Sequence, residues 1–311
     1  MLSNNQVRVI DPILTDFVRG YENNDLVGNL LFPRVDVSKS GGQVLEFDKT
    51  AFQLYDTQRA PGAATKRIEL GYLGKPYALE NHALEALVPY ENMRDANLVP
   101  GIDLAKESLT DVVDSMALKL EYQQATLARN AALYPAANKI ALLSNNNFSV
   151  ATFGVKAAVT ASRAAIRAQT GKKANVMILP PNSIAKLDMH PEIRDRLKYT
   201  GGGNATAQML ATYFEVDTVV EGGAVYTTSS SSSATMLDVW GNDIVLAYVP
   251  KNTRSARVPS YGYTYSMRGQ PSVKVPYQEN NRESWVYGAK FERAPVIAAI
   301  TSGYLIQNAF N

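Results

Sequence analysis

The sequence predicts an α+β fold, and three observations support this prediction. Segments 44–55 and 66–74 show the partial alternation of apolar and polar residues that is typical of strands, and the polar turn 56–62 joins them into one long hairpin. A helical pattern of about eight turns follows at 102–129. The last third of the chain is mostly β, with strands predicted at 216–220, 235–240, 244–249, 261–267, 284–291 and 296–300.

The composition limits the class of protein. The chain has 311 residues, of which 46% are hydrophobic and 19% charged, and this balance fits a soluble protein with one or two cores. It has no cysteine, which excludes disulfides, thiolate zinc sites and thiol catalysis. We expect no signal peptide and no membrane association, because the chain has no basic start followed by an apolar core and no apolar run near the roughly 20 residues of a span.

Residues 1–42 are expected to form an arm with one short helix. Asp11 and Pro12 are residue types that start a helix. Segment 23–42 carries separated apolar anchors among turn formers, so it can lie along another surface but cannot bury a core of its own. The anchors are Leu30, Leu31, Phe32, Val35 and Val37.

The hairpin at 43–88 requires support from outside itself. Each limb of about a dozen residues reaches about 40 Å, and an isolated two-stranded ribbon is only marginally stable in water. A neighbouring subunit is the natural support. The predicted contact residues in the hairpin are Phe47, Phe52, Leu54, Arg59, Pro61 and Tyr72, and those in the arm are Leu30 and Phe32.

The helix at 102–129 would be about 42 Å long and would cross most of the body. Acidic residues crowd its first half, where they complement the helix dipole, whereas Glu121 runs against that order. Further on, the sequence predicts a helix at 155–169, a buried strand at 175–179, and short helices that begin near Ser183 and at Pro191. The predicted apolar side of the long helix is Ile102, Ala105, Leu109, Val113, Met116, Leu120 and Leu127.

Two motifs suggest chemistry, and each has a simpler explanation. Asp188, His190 and Glu192 resemble a metal-ligand cluster, but the proline between the last two makes helix capping the favoured interpretation. The glycines at 201–203 are of the type that cradles a phosphate, yet the lysine and serine or threonine of a P-loop are missing, which favours a flexible loop. The chain also lacks a nucleophile elbow. We therefore predict no catalytic, cofactor-binding or metal-binding residue, and no enzyme.

One stretch, 244–278, has basic residues and no acidic ones. Tyr261, Tyr263 and Tyr265 alternate within it. Basic groups with aromatics can bind single-stranded nucleic acid by stacking, but alternating tyrosines also make an ordinary half-buried strand, and the second interpretation is favoured. The basic residues, Lys251, Arg254, Arg257, Arg268 and Lys274, could alternatively meet acidic patches on a neighbour.

Several short sequence motifs occur together in this chain: Asp11 to Thr15 and Leu31-Phe32-Pro33 in the arm, Arg59 to Gly62 at the hairpin tip, Asn175 to Lys198, and Val239 to Pro250. With the order of the parts, they resemble the tailed-phage major capsid proteins of the Hong Kong 97 fold. The resemblance implies an N-terminal arm at 1–42, an extended hairpin (E-loop) at 43–88, a peripheral domain at 89–154 and 251–311 with spine helix 102–129, and an axial domain at 155–250.

The resemblance also implies a function. Copies of the chain would form pentamers and hexamers of a head shell around double-stranded DNA, assembled in the host cytoplasm and retained in the virion. A separate scaffolding protein and a portal would be partners, and a decoration protein could bind the shell. Two alternatives stay open: an encapsulin-like compartment, and a soluble α/β hydrolase or binding protein. Lys49 and Lys66 lie in the hairpin, but no pattern assigns a covalent cross-link to either.

Overall fold

The computed structural model of the protein describes residues 11, 14–15, 18, 26–46, 54, 57–59, 67, 73–96, 103–197, 205–229, 231, 233–251 and 260–310. Helices and two main sheets share these ranges, which confirms the α+β class. The helices are Tyr90–Ala96, Leu104–Ala128, Val155–Thr170, Ser183–Met189, Pro191–Leu197 and Ala207–Phe214, with 3-10 turns at Gly28–Leu30, Ala136–Asn138, Asn280–Arg282 and Ile300–Ser302.

The strands are numbered in chain order. They are β1 (Arg34–Val37), β2 (Gly41–Glu46), β3 (Leu73–Ala78), β4 (Glu80–Pro89), β5 (Lys139–Ala141), β6 (Val176–Leu179), β7 (Thr218–Glu221), β8 (Val225–Tyr226), β9 (Leu237–Asp238), β10 (Ile244–Ala247), β11 (Gly262–Met267), β12 (Ser272–Val273), β13 (Tyr277–Glu279), β14 (Ser284–Ile297) and β15 (Gly303–Gln307).

The larger sheet is built around β14. This strand pairs antiparallel with β4, β11, β12 and β13, and β1 adds to β11 in parallel. The prediction of separate strands at 284–291 and 296–300 is wrong, because one strand runs through Pro295. Pro295 lies opposite Thr264 in β11, and the Thr264 amide donates to the Pro33 carbonyl on the other side of β11 (3.0 Å). The two residues therefore do not exchange backbone hydrogen bonds, so the pairing with β11 does not need an N–H from Pro295.

The second sheet has five strands in the order β5-β15-β10-β6-β7. Every residue of β6 and β10 is buried, with one core on each face of the sheet. β5 and β15 complete this sheet, although they fall in 89–154 and 251–311, segments that the resemblance assigns to the peripheral domain. The sequence did not predict β15 or the helix Ala207–Phe214. The predicted strand 235–240 is shortened to the two residues of β9, which pair with β8.

The long helix is confirmed at Leu104–Ala128. The Asp103 carboxylate accepts the Lys106 amide at its N-terminus (3.2 Å), as a capping residue does. The predicted apolar side is confirmed at Leu109, Met116 and Leu120, which are buried; Ala105, Val113 and Leu127 are half-buried, and Ile102 lies outside the described residues. The helix packs on the larger sheet early and on the arm later, and it also buries residues that were not predicted: Val112, Glu121, Gln124, Ala125 and Ala128.

Other local predictions are confirmed. The second helix spans Val155–Thr170 and ends at Gly171, whose φ of +66° suits a glycine. The strand interpretation of the alternating tyrosines is confirmed, since Tyr263 and Tyr265 lie in β11 between β1 and β14, but the segment is more buried than predicted: Tyr261, just before β11, and Tyr263 are both buried. No helix within the described ranges is long and apolar enough to cross a membrane.

Of the predicted short arm helix, the structure describes only a few residues. Leu14, Thr15 and Val18 have helical backbone. The Asp11 carboxylate accepts the Leu14 amide (3.1 Å), as expected of a residue that caps a helix start.

Candidate assembly interface

The arm docks on its own subunit at residues 27–32. Leu31 and Phe32 are fully buried beside the end of the long helix, and the Phe32 ring meets the Tyr261 ring edge-on at 5.5 Å between centroids. The close packing extends to Gly262, where an added Cβ would lie 2.5 Å from the Phe32 ring. The prediction that Phe32 contacts a neighbouring subunit is therefore corrected, because this side chain is enclosed by its own chain.

A buried carboxylate fixes the start of this docked segment. Glu121, on the long helix, is 1% exposed and accepts three N–H groups: the Val27 amide (3.1 Å), the Gly28 amide (2.8 Å) and the Trp240 indole (2.7 Å). Burial raises the pKa of Glu121, and the hydrogen bonds from Trp240, Gly28 and Val27 oppose that rise. One side chain thus joins the arm, the long helix and the loop after β9.

Gln124 continues the same contact one turn later. Its amide nitrogen donates to Asn29 (3.2 Å) and to the Thr264 hydroxyl (2.9 Å), and that hydroxyl donates to the Phe32 carbonyl (3.0 Å). A Cβ on Gly28 would lie 2.2 Å from the Gln124 side-chain oxygen and 2.7 Å from a Glu121 carboxylate oxygen, so a larger residue there would displace these two side chains. Sequence reasoning missed both polar residues. The only signal was that Glu121 and Gln124 fall among the apolar positions of the helix.

The root of the predicted hairpin is confirmed. β2 and β3 pair antiparallel in six register pairs, from Gly41 with Ala78 to Glu46 with Leu73. The expectation that the ribbon needs support from outside itself holds at the root, but the supporting surface there belongs to the same subunit rather than to the neighbouring subunit that the sequence suggested as the natural candidate.

Two side chains attach the ribbon root to the larger sheet. Val44 is buried in a cluster with Tyr263 and Ala298. The Tyr77 ring stacks on the Tyr265 ring, with 4.3 Å between centroids and 11° between planes. Burial, with smaller contributions from the neighbouring tyrosines, raises the pKa of Tyr265 to about 12.

The ribbon also continues directly into that sheet. Only Leu79 separates β3 from β4, and its amide donates to the Ser40 carbonyl at the start of β2 (2.8 Å). β4 then pairs with β14 over ten residues. The direction of the ribbon root is therefore coupled to the edge of the larger sheet.

The predicted contact residues of the hairpin are described only in part. The Leu54 side chain is 97% exposed, and Arg59 and the arm residue Leu30 are exposed as well. The structure does not bring these three into one site. Phe47, Phe52, Pro61 and Tyr72 lie outside the described residues.

The possible ligand cluster at 188–192 is used for structure. The Asp188 carboxylate accepts the Ala205 amide (2.6 Å), and the His190 ring contacts the Val150 carbonyl through Nε2 (3.0 Å). Glu192 accepts the amide of Val155 (2.7 Å) at the start of the second helix. The helix-capping interpretation is confirmed for Glu192, whereas Asp188 and His190 bond to loop backbone. Among the described residues, no three candidate ligands are placed to hold a metal ion, and 201–203 lie outside them.

Part of the basic stretch pairs within the chain. Lys251 contacts Asp217 (3.0 Å) and Lys274 contacts Glu85 (2.6 Å). The hydrogen bond from Lys274 lowers the pKa of Glu85. Arg254 and Arg257 fall outside the described ranges.

Comparison with known proteins agrees with this architecture. No protein-family model matches the chain. The chain is 31% identical over 306 residues to the major capsid protein of Burkholderia phage BcepMu, covering 97% of each sequence. A solved phage-related protein from Bordetella bronchiseptica RB50 is 39% identical, with a TM-score of 0.83 over 98% of this chain and 99% of that one.

A more distant structure shows the fold alone. The mature capsid of bacteriophage PhiM1 is 14% identical to the chain, with a TM-score of 0.53 over 93% of this chain and 88% of that one. The fold as a whole is thus that of phage capsid proteins of the Hong Kong 97 type. The chain belongs to the family of phage major capsid proteins, which build the shell of the virion.

Proposed function

We propose that copies of this chain form pentamers and hexamers that close into an icosahedral head around double-stranded phage DNA. The chain belongs to a family of capsid proteins, which self-assemble into shells. Head-to-tail contacts between subunits that close on themselves make rings such as pentamers and hexamers. The division into arm, E-loop, peripheral domain and axial domain belongs to this proposal. The role is structural rather than enzymatic.

The hairpin gives the most direct support for this proposal. Its root is held by its own sheet through Val44 and Tyr77, whereas Leu54, toward the tip, is 97% exposed. A large apolar side chain exposed to that extent gains about 1.5–3 kcal/mol when it is fully covered. A neighbouring subunit is the surface that repeats at the same place in every ring, so we assign the hairpin beyond its root to an intersubunit contact.

Small contacts suffice for such a shell. Each hairpin and each arm contributes a modest interaction, and a closed shell repeats it at every subunit, so the energies add without any single strong site. The buried anchors Leu31 and Phe32 keep the arm on its own subunit, which leaves the exposed Leu30 as its candidate contact.

Further partners belong to the same proposal. A separate scaffolding protein and a portal would act during assembly in the host cytoplasm, and a decoration protein could bind the finished shell. The encapsulin-like compartment is less supported, because the relatives with appreciable sequence identity are phage proteins. The α/β hydrolase alternative is set aside by the family assignment.

Deleting residues 57–65 tests the hairpin. The deletion spares β2 and β3, so the subunit should keep its unfolding midpoint while forming few particles in electron microscopy. A second variant, in which 57–65 are replaced by glycine and serine at equal length, separates loss of length from loss of side chains. It should also assemble poorly, because it lacks the native side chains. Normal particles from the deletion would refute the role of the hairpin.

A further inference from the structure

A cleft of about 650 Å³, here called the arm cleft, lies where the arm, the long helix and the larger sheet meet. Leu26 and Leu30 line it from the arm, Val113 and Met116 from the long helix, and Phe291 from β14. Its walls are mostly apolar, and no acidic side chain is among the described residues that line it. Small-molecule sites typically have this volume and an apolar lining with a few polar groups that orient the ligand.

One wall of the arm cleft carries a buried positive charge. Arg293, on β14, lines the cleft and is 1% exposed, and burial lowers its pKa to about 10, so it is still charged at neutral pH. Its Nη2 donates to the Met116 carbonyl, while its Nε is buried without a hydrogen-bond partner. The guanidinium carbon lies 4.8 Å from the centre of the Phe291 ring, which attracts a cation but has no net charge.

No carboxylate in the described part of the chain forms an ion pair with Arg293. Glu80 lies opposite it on β4, but the Glu80 carboxylate contacts His82 Nε2 (3.5 Å) and accepts from the Gln123 amide (3.5 Å). Arg34, the other cation that lines the cleft, already has an aspartate partner (3.0 Å). Because a buried charge is costly when it is unpaired, the arm cleft favours an anion beside Arg293.

We propose that the arm cleft binds an aliphatic carboxylate, such as a medium-chain fatty acid, with its carboxylate at Arg293 and its chain along the apolar walls. The buried guanidinium favours an anion over a neutral or cationic ligand, because charge-assisted hydrogen bonds are the stronger ones. The apolar lining favours a hydrocarbon chain over a bare inorganic anion. All the groups that the site needs come from one subunit, so the inference goes beyond the proposed function and does not depend on assembly.

Isothermal titration calorimetry of the purified full chain tests the class of ligand. Dodecanoate should bind, and each methylene removed from it, down to hexanoate, should weaken binding about fourfold. Dodecanol and dodecylamine carry the same chain without a carboxylate, and each should bind about tenfold more weakly or worse. Absence of dodecanoate binding, equal affinity for dodecanol, or an affinity independent of chain length would overturn the proposal.

Two variants test the position of the site. Arg293→Met should weaken dodecanoate binding about tenfold or more and leave dodecanol binding unchanged; its fold should persist, because an apolar side chain in place of a buried charge is often tolerated. Ala117→Phe fills part of the cleft from the long helix, leaves Arg293 in place, and should also weaken dodecanoate binding. Arg94→Met is the matched control, since Arg94 is exposed and outside the cleft, and it should bind as the native chain does. Native affinity in Arg293→Met or in Ala117→Phe would overturn the assignment.

Amide hydrogen exchange gives a second readout. A ligand in the arm cleft contacts both the arm and the long helix, so the arm cannot leave the helix without losing that ligand. Dodecanoate at 100 times its Kd should therefore slow the exchange of amides in 27–32 about a hundredfold. The helix Ala207–Phe214 does not line the cleft, and its amides are the internal control, expected to be unchanged. Binding without added protection at 27–32 would place the ligand elsewhere and overturn the proposal.

Discussion

Replacing Glu121 with leucine removes the acceptor shared by the arm, the long helix and the loop after β9. Three N–H donors then stay buried without a partner: the amides of Val27 and Gly28 and the indole of Trp240. Each orphaned donor costs about 1–3 kcal/mol, or about 3–9 kcal/mol for three. Removing the carboxylate recovers the desolvation penalty that raises its pKa, so we expect a net loss of about 3–5 kcal/mol, near the cost of breaking a buried polar pair.

The assay is urea unfolding of the unassembled subunit, followed by circular dichroism, together with amide hydrogen exchange. In Glu121→Leu the amides of Val27 and Gly28 should lose protection before the rest of the fold. Glu107→Leu is the control, because Glu107 is exposed on the same helix and its substitution should change stability by less than about 0.5 kcal/mol. A cost below about 1 kcal/mol, or protected amides in Glu121→Leu, would refute the reasoning.

Three further predictions concern the same buried region and the hairpin. Burial raises the pKa of Glu121 above its ordinary 4.5, so the folded chain keeps that proton where the unfolded chain has released it. The stability of the native chain relative to Glu121→Leu should therefore fall as pH rises from 4.5 through the raised pKa, and a flat difference in urea titrations would contradict this. Tyr134→Phe should cost more than Tyr261→Phe, by about 1 kcal/mol in thermal unfolding, because the Tyr134 hydroxyl also donates to a helix carbonyl (2.7 Å) that would be left unpaired. Phe32→Ala should cost about 3–5 kcal/mol in the isolated subunit, whereas Leu54→Ser should leave stability unchanged and reduce particle yield; the reverse pattern would contradict the positions assigned to the two residues.

Local patterns in the sequence were sufficient for the elements that depend on local physics. The long helix, the helix that ends at Gly171, the root of the hairpin and the tyrosine strand β11 all follow from periodicity, capping and turn residues. The run of β14 through Pro295 did not follow, because whether a strand tolerates a proline depends on what its partner Thr264 bonds to.

The interface was harder to predict because it depends on long-range packing. Phe32 and Leu30 look alike as apolar anchors in the arm, and only the fold shows that one is enclosed by Tyr261 and the other is exposed. In the sequence, Glu121 is an acidic residue in the half of the helix where the dipole disfavours a negative charge. Its structural role could not be predicted, because its three hydrogen-bond donors lie far from it in sequence.

The most direct test of the account is electron cryomicroscopy of particles formed by the full chain. We predict closed shells of five- and six-membered rings, with residues 27–32 docked on Glu121 of their own subunit and the hairpin beyond β2 and β3 lying across the next subunit. A hairpin packed along its whole length on its own subunit, with no contact to a neighbour, would contradict the central claim.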